Sequence, residues 1–174
     1  MTSSLNPGMI GAAAPLVKPR STIKDKALNP DHYRRLEALY DAAPINRLFP
    51  SRIQISQGAA RIDLDIAPGL FHGAGAAHGA VYFKLLDDAC FFAVNSRVEE
   101  VFVLTTAFNM HLTRPLPAGP VTAEGHWLSG ARRVFLAEAV LKDAHGREAA
   151  RGTGTFMKSR IPLGSLDGYG KARP

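Results

Sequence analysis

The chain has 174 residues, a mass of 18.7 kDa and 46% hydrophobic against 21% charged residues, the size and balance of one soluble domain with its own core. A single cysteine excludes an internal disulfide and a cysteine-type zinc site, which points to a reducing, cytoplasmic setting. The net charge of +6 sits at the ends, with residues 1–35 summing to +4, residues 158–174 to +3 and the middle to −1, so a basic groove for nucleic acid is not expected.

Residues 1–29 are rich in Ser, Pro, Gly and Ala without a period and read as a flexible leader. Met9–Val17 is apolar, but it contains Pro15 and no basic residue precedes it, so it does not read as a signal peptide. No stretch approaches the roughly 18 apolar residues of a membrane span. The folded domain is expected at 30–160, followed by a C-terminal tail at 161–174.

Asp31 is placed to cap a helix in which Tyr33, Leu36, Leu39 and Tyr40 recur at helical spacing, and Pro44 ends it. Two alternating runs, 52–56 and 60–67, meet at Gln57-Gly58 as a hairpin does. A loop rich in Gly and Ala, 68–79, leads into residues 80–95, which are apolar nearly all round and read as an enclosed helix. Four strand-like segments follow at 101–115, 120–130, 133–143 and 147–158, joined in the manner of a meander. In the first, Phe102, Leu104, Phe108, Met110 and Leu112 are expected on one face and Thr105, Asn109, His111 and Thr113 on the other. Ser129-Gly130-Ala131 and Asp143–Gly146 read as the hairpin turns. The pattern is α+β, one antiparallel sheet wrapped around one central apolar helix.

Chemistry concentrates where that helix begins. His78-Gly79-Ala80 opens it, and the free N–H groups and partial positive charge of a helix N-terminus stabilise a developing oxyanion. Asp87 lies nine residues after His78 among Leu85, Leu86, Ala89, Cys90 and Phe91, where a carboxylate costs several kcal/mol unless it has a partner or a task. Lys84 is a partner for Asp87 at three residues or for Asp88 at four, so two acids compete for one base. Asp87 is either half of an ion pair or a catalytic general base or nucleophile.

The stretches FHGAGAAHGAVYFKLLDDACFFAVNS, TTAFNMHLTRPLPAG and DAHGREAARGTGTF together resemble the PaaI-like branch of the hotdog-fold acyl-CoA thioesterases. The shared pattern is a His-Gly-Gly helix start, an acid nine residues on, an Arg-Pro strand end and a final hairpin with spaced glycines. This resemblance covers residues 31–160. It implies a hydrolase that splits an acyl-CoA into free acid and CoA without a cofactor or metal. It also implies a homodimer or homotetramer with the active site at the subunit interface. Asp87 matches the catalytic carboxylate, Gly79 the amide that polarises the thioester carbonyl, and His78 a positioning residue. Ala80 replaces the family's second glycine, and His72 stands where many members have Asn. Thr105 or Thr106 matches a small hydroxyl that positions water. A non-catalytic acyl-CoA sensor on the same fold is the alternative.

Other features point less far. Gly73-Ala74-Gly75 lacks the third glycine of a dinucleotide fingerprint. Asn29-Pro30-Asp31-His32 lacks the preceding acid of the hotdog hydratases and suits helix capping. Cys90 reads as core, there is no G-x-S-x-G, and the six histidines show no metal-binding spacing. Arg132 and Arg133, with Arg147 and Arg151, are candidates for the phosphates of CoA, and Tyr82, Phe83, Phe91 and Phe92 for the wall of an acyl pocket.

Overall fold

A computed structural model describes residues 29–170. The leader up to residue 28, with the basic residues it carries, and residues 171–174 lie outside the described residues.

Helix α1 (Pro30–Ala42) is capped by Asn29, whose side chain accepts from the His32 amide, with Pro30 at the first helical position where its missing N–H costs nothing. Asp31, expected as the cap, lies one residue inside the helix and pairs with Arg35 at 2.7 Å instead. Ala43 is extended, as a residue before proline must be, and a 3-10 turn over Pro44–Arg47 follows. Strands β1 (Ser51–Ser56) and β2 (Ala59–Ile66) form the expected hairpin around Gly58, at φ +71°. After the Gly/Ala loop comes α2 (Gly79–Asn95), and then β3 (Val101–Leu112), β4 (Gly119–Ala131), β5 (Val134–Lys142) and β6 (Glu148–Pro162).

The six strands form one antiparallel sheet in the order β1-β2-β4-β5-β6-β3. The expectation of a four-strand meander holds for β4, β5 and β6 but not for β3, which pairs with β6 at the far edge. The Thr-Arg-Pro-Leu-Pro-Ala connection after β3 carries two prolines, with a third as the second residue of β4, and cannot close a tight hairpin. The side of β4 it would have paired with belongs to β2. The β4–β5 turn is Arg132-Arg133, not 129–131. Gly130 stays in β4 because a side chain there would meet the Phe135 ring at 2.3 Å, and Arg132 takes the turn at φ +56°.

The sheet curls around α2, whose Leu85, Leu86, Ala89, Cys90, Ala93 and Val94 are each at most 1% exposed, so the helix is enclosed as its composition requires. Each such leucine contributes roughly 2 kcal/mol on leaving water. Approach is closest at Gly125 of β4, where an added Cβ would lie 2.2 Å from the Ala89 carbonyl oxygen. On β6, Gly152 and Gly154 leave room for the Phe108 ring, which lies 2.5 and 2.7 Å from where their Cβ atoms would be. That is the physical content of the spaced glycines in the last hairpin.

Two departures shape the site. A bulge between Thr105 and Ala107 breaks the alternation expected of β3, so the residues before and after it change faces. Leu104 is thereby left 47% exposed, and Thr105 turns toward α2 with Phe108 following on the inner side. The chain expected as a tail from 161 also continues the domain. A 3-10 turn at Leu163–Ser165 buries Leu163, Leu166 packs against the core, and Tyr169 is buried. Apolar residues three apart on such turns carry no helical or strand period, which is why the sequence pattern does not disclose them. His32 fastens this segment, since its Nε2 donates to the Asn95 carbonyl at 2.9 Å and its Nδ1 accepts from the Tyr169 hydroxyl at 2.8 Å. Asn29–His32 is therefore a cap and a clamp.

Candidate active site

The loop before α2 is closed by a bridge between Phe71 and Ala77 and by hydrogen bonds from His72 N to Ala76 O and from Gly75 N to His72 O. His72 is exposed, and its Nδ1 accepts from the Ala74 amide at 3.0 Å. His78 caps α2 in the same way, with its Nδ1 accepting from the Ala80 amide at 3.1 Å. A ring nitrogen that accepts is unprotonated, so each neutral imidazole carries its proton on Nε2. The Ala80 amide is thus committed to His78. Gly79 supplies the first amide of the helix, which has no carbonyl four residues back inside the helix, and open space surrounds its Cα.

Asp87 lies eight residues further along α2, about 12 Å at 1.5 Å per residue, too far to meet a carbonyl held at Gly79 of the same chain. The competition for Lys84 is resolved. Lys84 pairs with Asp88 and also donates to Asn46 Oδ1 at 2.7 Å, with its ammonium 4.9 Å from the Tyr40 ring centroid. Asp87 keeps a hydrogen bond from the Thr105 hydroxyl to Oδ1 at 3.0 Å. Burial pushes its carboxyl up from 3.8 to about 6, with the Thr105 bond opposing and the Asp88 charge adding to the rise. Of the two candidate hydroxyls, Thr105 meets the acid, while Thr106 is exposed and donates to the Thr155 carbonyl.

Asp87 and Thr105 open into a cavity of about 540 Å³ lined mainly by apolar groups. Phe91 and Phe92 line it as expected. Tyr82 and Phe83 do not: the Tyr82 hydroxyl donates to the Arg114 carbonyl and accepts from the Leu116 amide, and Phe83 packs edge-on against Phe108. The remaining walls come from Leu39 and Tyr40 of α1, Pro44–Asn46 after it, Phe102 of β3 and Leu166–Gly168. These residues escaped the sequence reading because only the fold brings them together.

The other candidates lie apart from Asp87. Arg132 and Arg133 are exposed at the end of the sheet opposite Gly79: the Arg133 carbonyl accepts from Lys158 N, Lys158 pairs with Val103, and Val103 N donates to Asn95 at the C-terminus of α2. Arg147 and Arg151 are engaged by Asp143 and Glu148. Cys90 is fully buried, and burial pushes its thiol up, away from the reactive thiolate. Among the described residues no group of His, Cys, Asp and Glu could hold a metal ion, and no helix is long and apolar enough to cross a membrane.

The model of the thioesterase superfamily matches residues 74–150, which include the α2 helix, the bulged β3 and the β4–β5–β6 hairpins up to Ala150. No curated protein matches the chain in sequence. Among solved structures, the chain is similar to the E. coli PaaI protein from the phenylacetic acid degradation operon, at 18% identity over 78% of this chain and 99% of that one, with a TM-score of 0.72. It is similar to a mutant of the phenylacetic acid degradation protein PaaI from Thermus thermophilus, at 24% identity over 67% and 100% of the chains, with a TM-score of 0.62. A Streptococcus mutans protein bound to acetyl CoA shares 15% identity over 63% of this chain and 88% of its own, with a TM-score of 0.59. At these identities the likeness to solved structures carries the fold alone. The described residues have the hotdog fold, and within it residues 74–150 match the thioesterase superfamily.

Proposed function

We propose that the chain hydrolyses acyl-CoA thioesters to the free acid and CoA, with Asp87 as general base or nucleophile. The observation that carries this reading is the state of Asp87. It sits on the wall of an apolar cavity, its neighbour Asp88 has taken Lys84, and its carboxyl titrates near pH 6. A structural carboxylate is held by a cation, whereas this one is held by a hydroxyl that orients it and leaves it basic.

The thioester carbonyl accepts from the Gly79 amide, where the first turn of α2 offers an uncommitted N–H and the helix dipole favours the developing oxyanion. His78 shapes that turn, His72 shapes the loop before it, and Ala80 lies beside the bound carbonyl. Asp87 either takes a proton from the attacking water and passes it to the departing sulfur as the carbon–sulfur bond breaks, or attacks the carbonyl carbon itself, expelling the CoA thiolate, which takes a proton from solvent; water then hydrolyses the resulting anhydride to the free acid and restores the carboxylate. No cofactor enters, because a thioester is already activated toward water.

The 12 Å between Gly79 and Asp87 makes one chain two half-sites, and a second copy joins them. Strand β3 supports that assembly, since its twelve residues form one edge of the sheet and an unpaired edge seeks a strand. Antiparallel pairing of β3 with its copy carries Arg132 and Arg133 of one protomer to the end where the other's α2 begins, within reach of CoA phosphates. The solved S. mutans neighbour, described as bound to acetyl CoA, is consistent with that ligand class.

The test is thiol release from a panel of aliphatic and aromatic acyl-CoAs by native protein and Asp87→Asn. Turnover that falls at least roughly a hundredfold in the variant supports the assignment. Turnover unchanged in the variant moves the role elsewhere. A native protein that hydrolyses none of the panel, yet melts higher with CoA esters present, is a sensor instead.

A further inference from the structure

We propose that the cavity beside Asp87 holds the acyl group of the thioester, and that residues 166–168 form its end wall and select bulky apolar acyl groups over acetyl. This rests on the thioesterase reading above and adds the substrate class and the element that sets it. At about 540 Å³ the cavity falls in the range of small-molecule sites, roughly 300–1,000 Å³, far more than an acetyl group fills.

Its lining suits an apolar guest. Phe91 meets Phe92 edge-on at 5.0 Å and lies tilted against Phe102 at 4.8 Å, and Tyr40 meets Phe92 edge-on at 5.4 Å, which fixes the aromatic wall. The inner polar groups of the lining are already satisfied by one another: Lys84 by Asp88 and Asn46, and Asn46 by the Tyr40 carbonyl. Asp167 is exposed and keeps its water. Asp87 is left as the half-buried carboxylate facing the guest, held by Thr105. Beyond Asp87 itself, an acyl chain that enters there meets hydrocarbon, polar groups already paired with one another, and the exposed Asp167.

The end wall is Leu166–Gly168, and it is held from two sides. Gly168 lies so close to α1 that a Cβ there would be 2.8 Å from Ala42 Cβ and 2.9 Å from Leu39 Cα. The next residue, Tyr169, is locked by His32, which is itself bonded to the end of α2 at Asn95. Removing this segment opens the cavity along α1, so its position sets how much acyl group the site accepts.

Acetyl-, hexanoyl-, benzoyl- and decanoyl-CoA are compared on native protein, Leu166→Trp, Leu166→Ala and Tyr169→Phe, each first shown by circular dichroism to melt cooperatively. Native kcat/KM is expected to be at least tenfold higher for hexanoyl- and benzoyl-CoA than for acetyl-CoA. Leu166→Trp lowers the decanoyl-to-acetyl ratio at least tenfold, Leu166→Ala raises the decanoyl-to-hexanoyl ratio, and Tyr169→Phe flattens the preference by loosening the wall. A flat acyl profile, or Leu166 variants that scale every substrate alike, overturns the wall while leaving the thioesterase reading in place. If native protein hydrolyses none of the esters, the thioesterase reading fails and calorimetric titration with decanoate decides the wall separately. Decanoate binding weakened at least tenfold by Leu166→Trp upholds the wall, and equal or absent binding overturns it.

Discussion

Replacing Asp87 by Asn is expected to stabilise the protein while removing its activity. The carboxyl titrates at about 6 in the fold and at 3.8 ordinarily, so the folded state holds its proton more tightly than the unfolded chain does. Between these two values the folded form is protonated and the unfolded form is not; stability therefore falls as pH rises through about 4–6 and is level above. At about 1.4 kcal/mol per pH unit the full penalty at neutral pH is about 3 kcal/mol, and the water that still reaches the carboxyl brings it to about 2 kcal/mol. Asn has the same shape, carries no charge and presents an oxygen to the Thr105 hydroxyl, so Asp87→Asn recovers that amount. For a chain of this length the gain corresponds to a melting temperature raised by about 4–8 °C at pH 8. Urea unfolding of both proteins at pH 4, 6 and 8 reads it directly. The gap between them is expected to be near zero at pH 4, to open through pH 6 and to stay open at pH 8. An Asp87→Asn protein less stable than native at pH 8, or a gap of equal size at pH 4 and pH 8, refutes the argument that burial strains this carboxylate.

The same titration governs the rate: kcat/KM is expected to rise with pH through about 6 and then level, because the carboxylate is the working form. Thr105→Val removes a hydrogen bond to that form, so the midpoint of the pH–rate profile moves upward, and a midpoint that stays or falls contradicts it. Lys84→Met leaves Asp88 without its cation on a largely buried site and costs about 2–3 kcal/mol at pH 8, and less as pH falls, because burial raises the Asp88 carboxyl and protonation relieves it; urea unfolding at pH 8 and pH 5 checks it. Gly125→Ala drives a methyl into the Ala89 carbonyl and forces α2 off the sheet, at a cost of about 3 kcal/mol in thermal or urea unfolding. A variant as stable as native removes the close approach as a constraint.

How much of this was legible in the chain depends on whether a feature is local. Period and composition disclose α2, because a helix enclosed on all sides must be apolar on all sides, and they disclose the strands because their inner faces alternate. The catalytic candidate was legible for a similar reason: Lys84, Asp87 and Asp88 lie on one turn, and the arithmetic of one base against two acids already leaves an acid over. Which acid is left over was not legible. Lys84 turns to Asp88 because Asn46 and the Tyr40 ring receive its ammonium from another part of the chain, and Thr105 reaches Asp87 because a bulge in β3 moves it to the inner face. The placement of β3 at the edge was hidden as well, since hairpin logic pairs neighbours in sequence and only the three prolines after Leu112 argue against it.

The division of labour along α2 follows from the same distinction. A helix supplies two different assets, an amide-rich N-terminus and a mid-helix side chain, and it fixes them about 12 Å apart by its own geometry. Hydrolysis of a thioester needs both within a few ångströms of one carbon. A single copy of this fold cannot fold the helix back on itself, because α2 runs unbroken from Gly79 to Asn95. The proposed twofold assembly would bring the start of one helix to the middle of the other across the β3 edge. Mixing Asp87→Asn protein with Gly79→Pro protein, which lacks the amide, tests this: exchange of protomers is expected to restore activity to about a quarter of native, since half of the pairs are mixed and each mixed pair rebuilds one intact site of two. Mixtures that stay inactive after protomer exchange place both halves of the chemistry within one chain and refute the shared site.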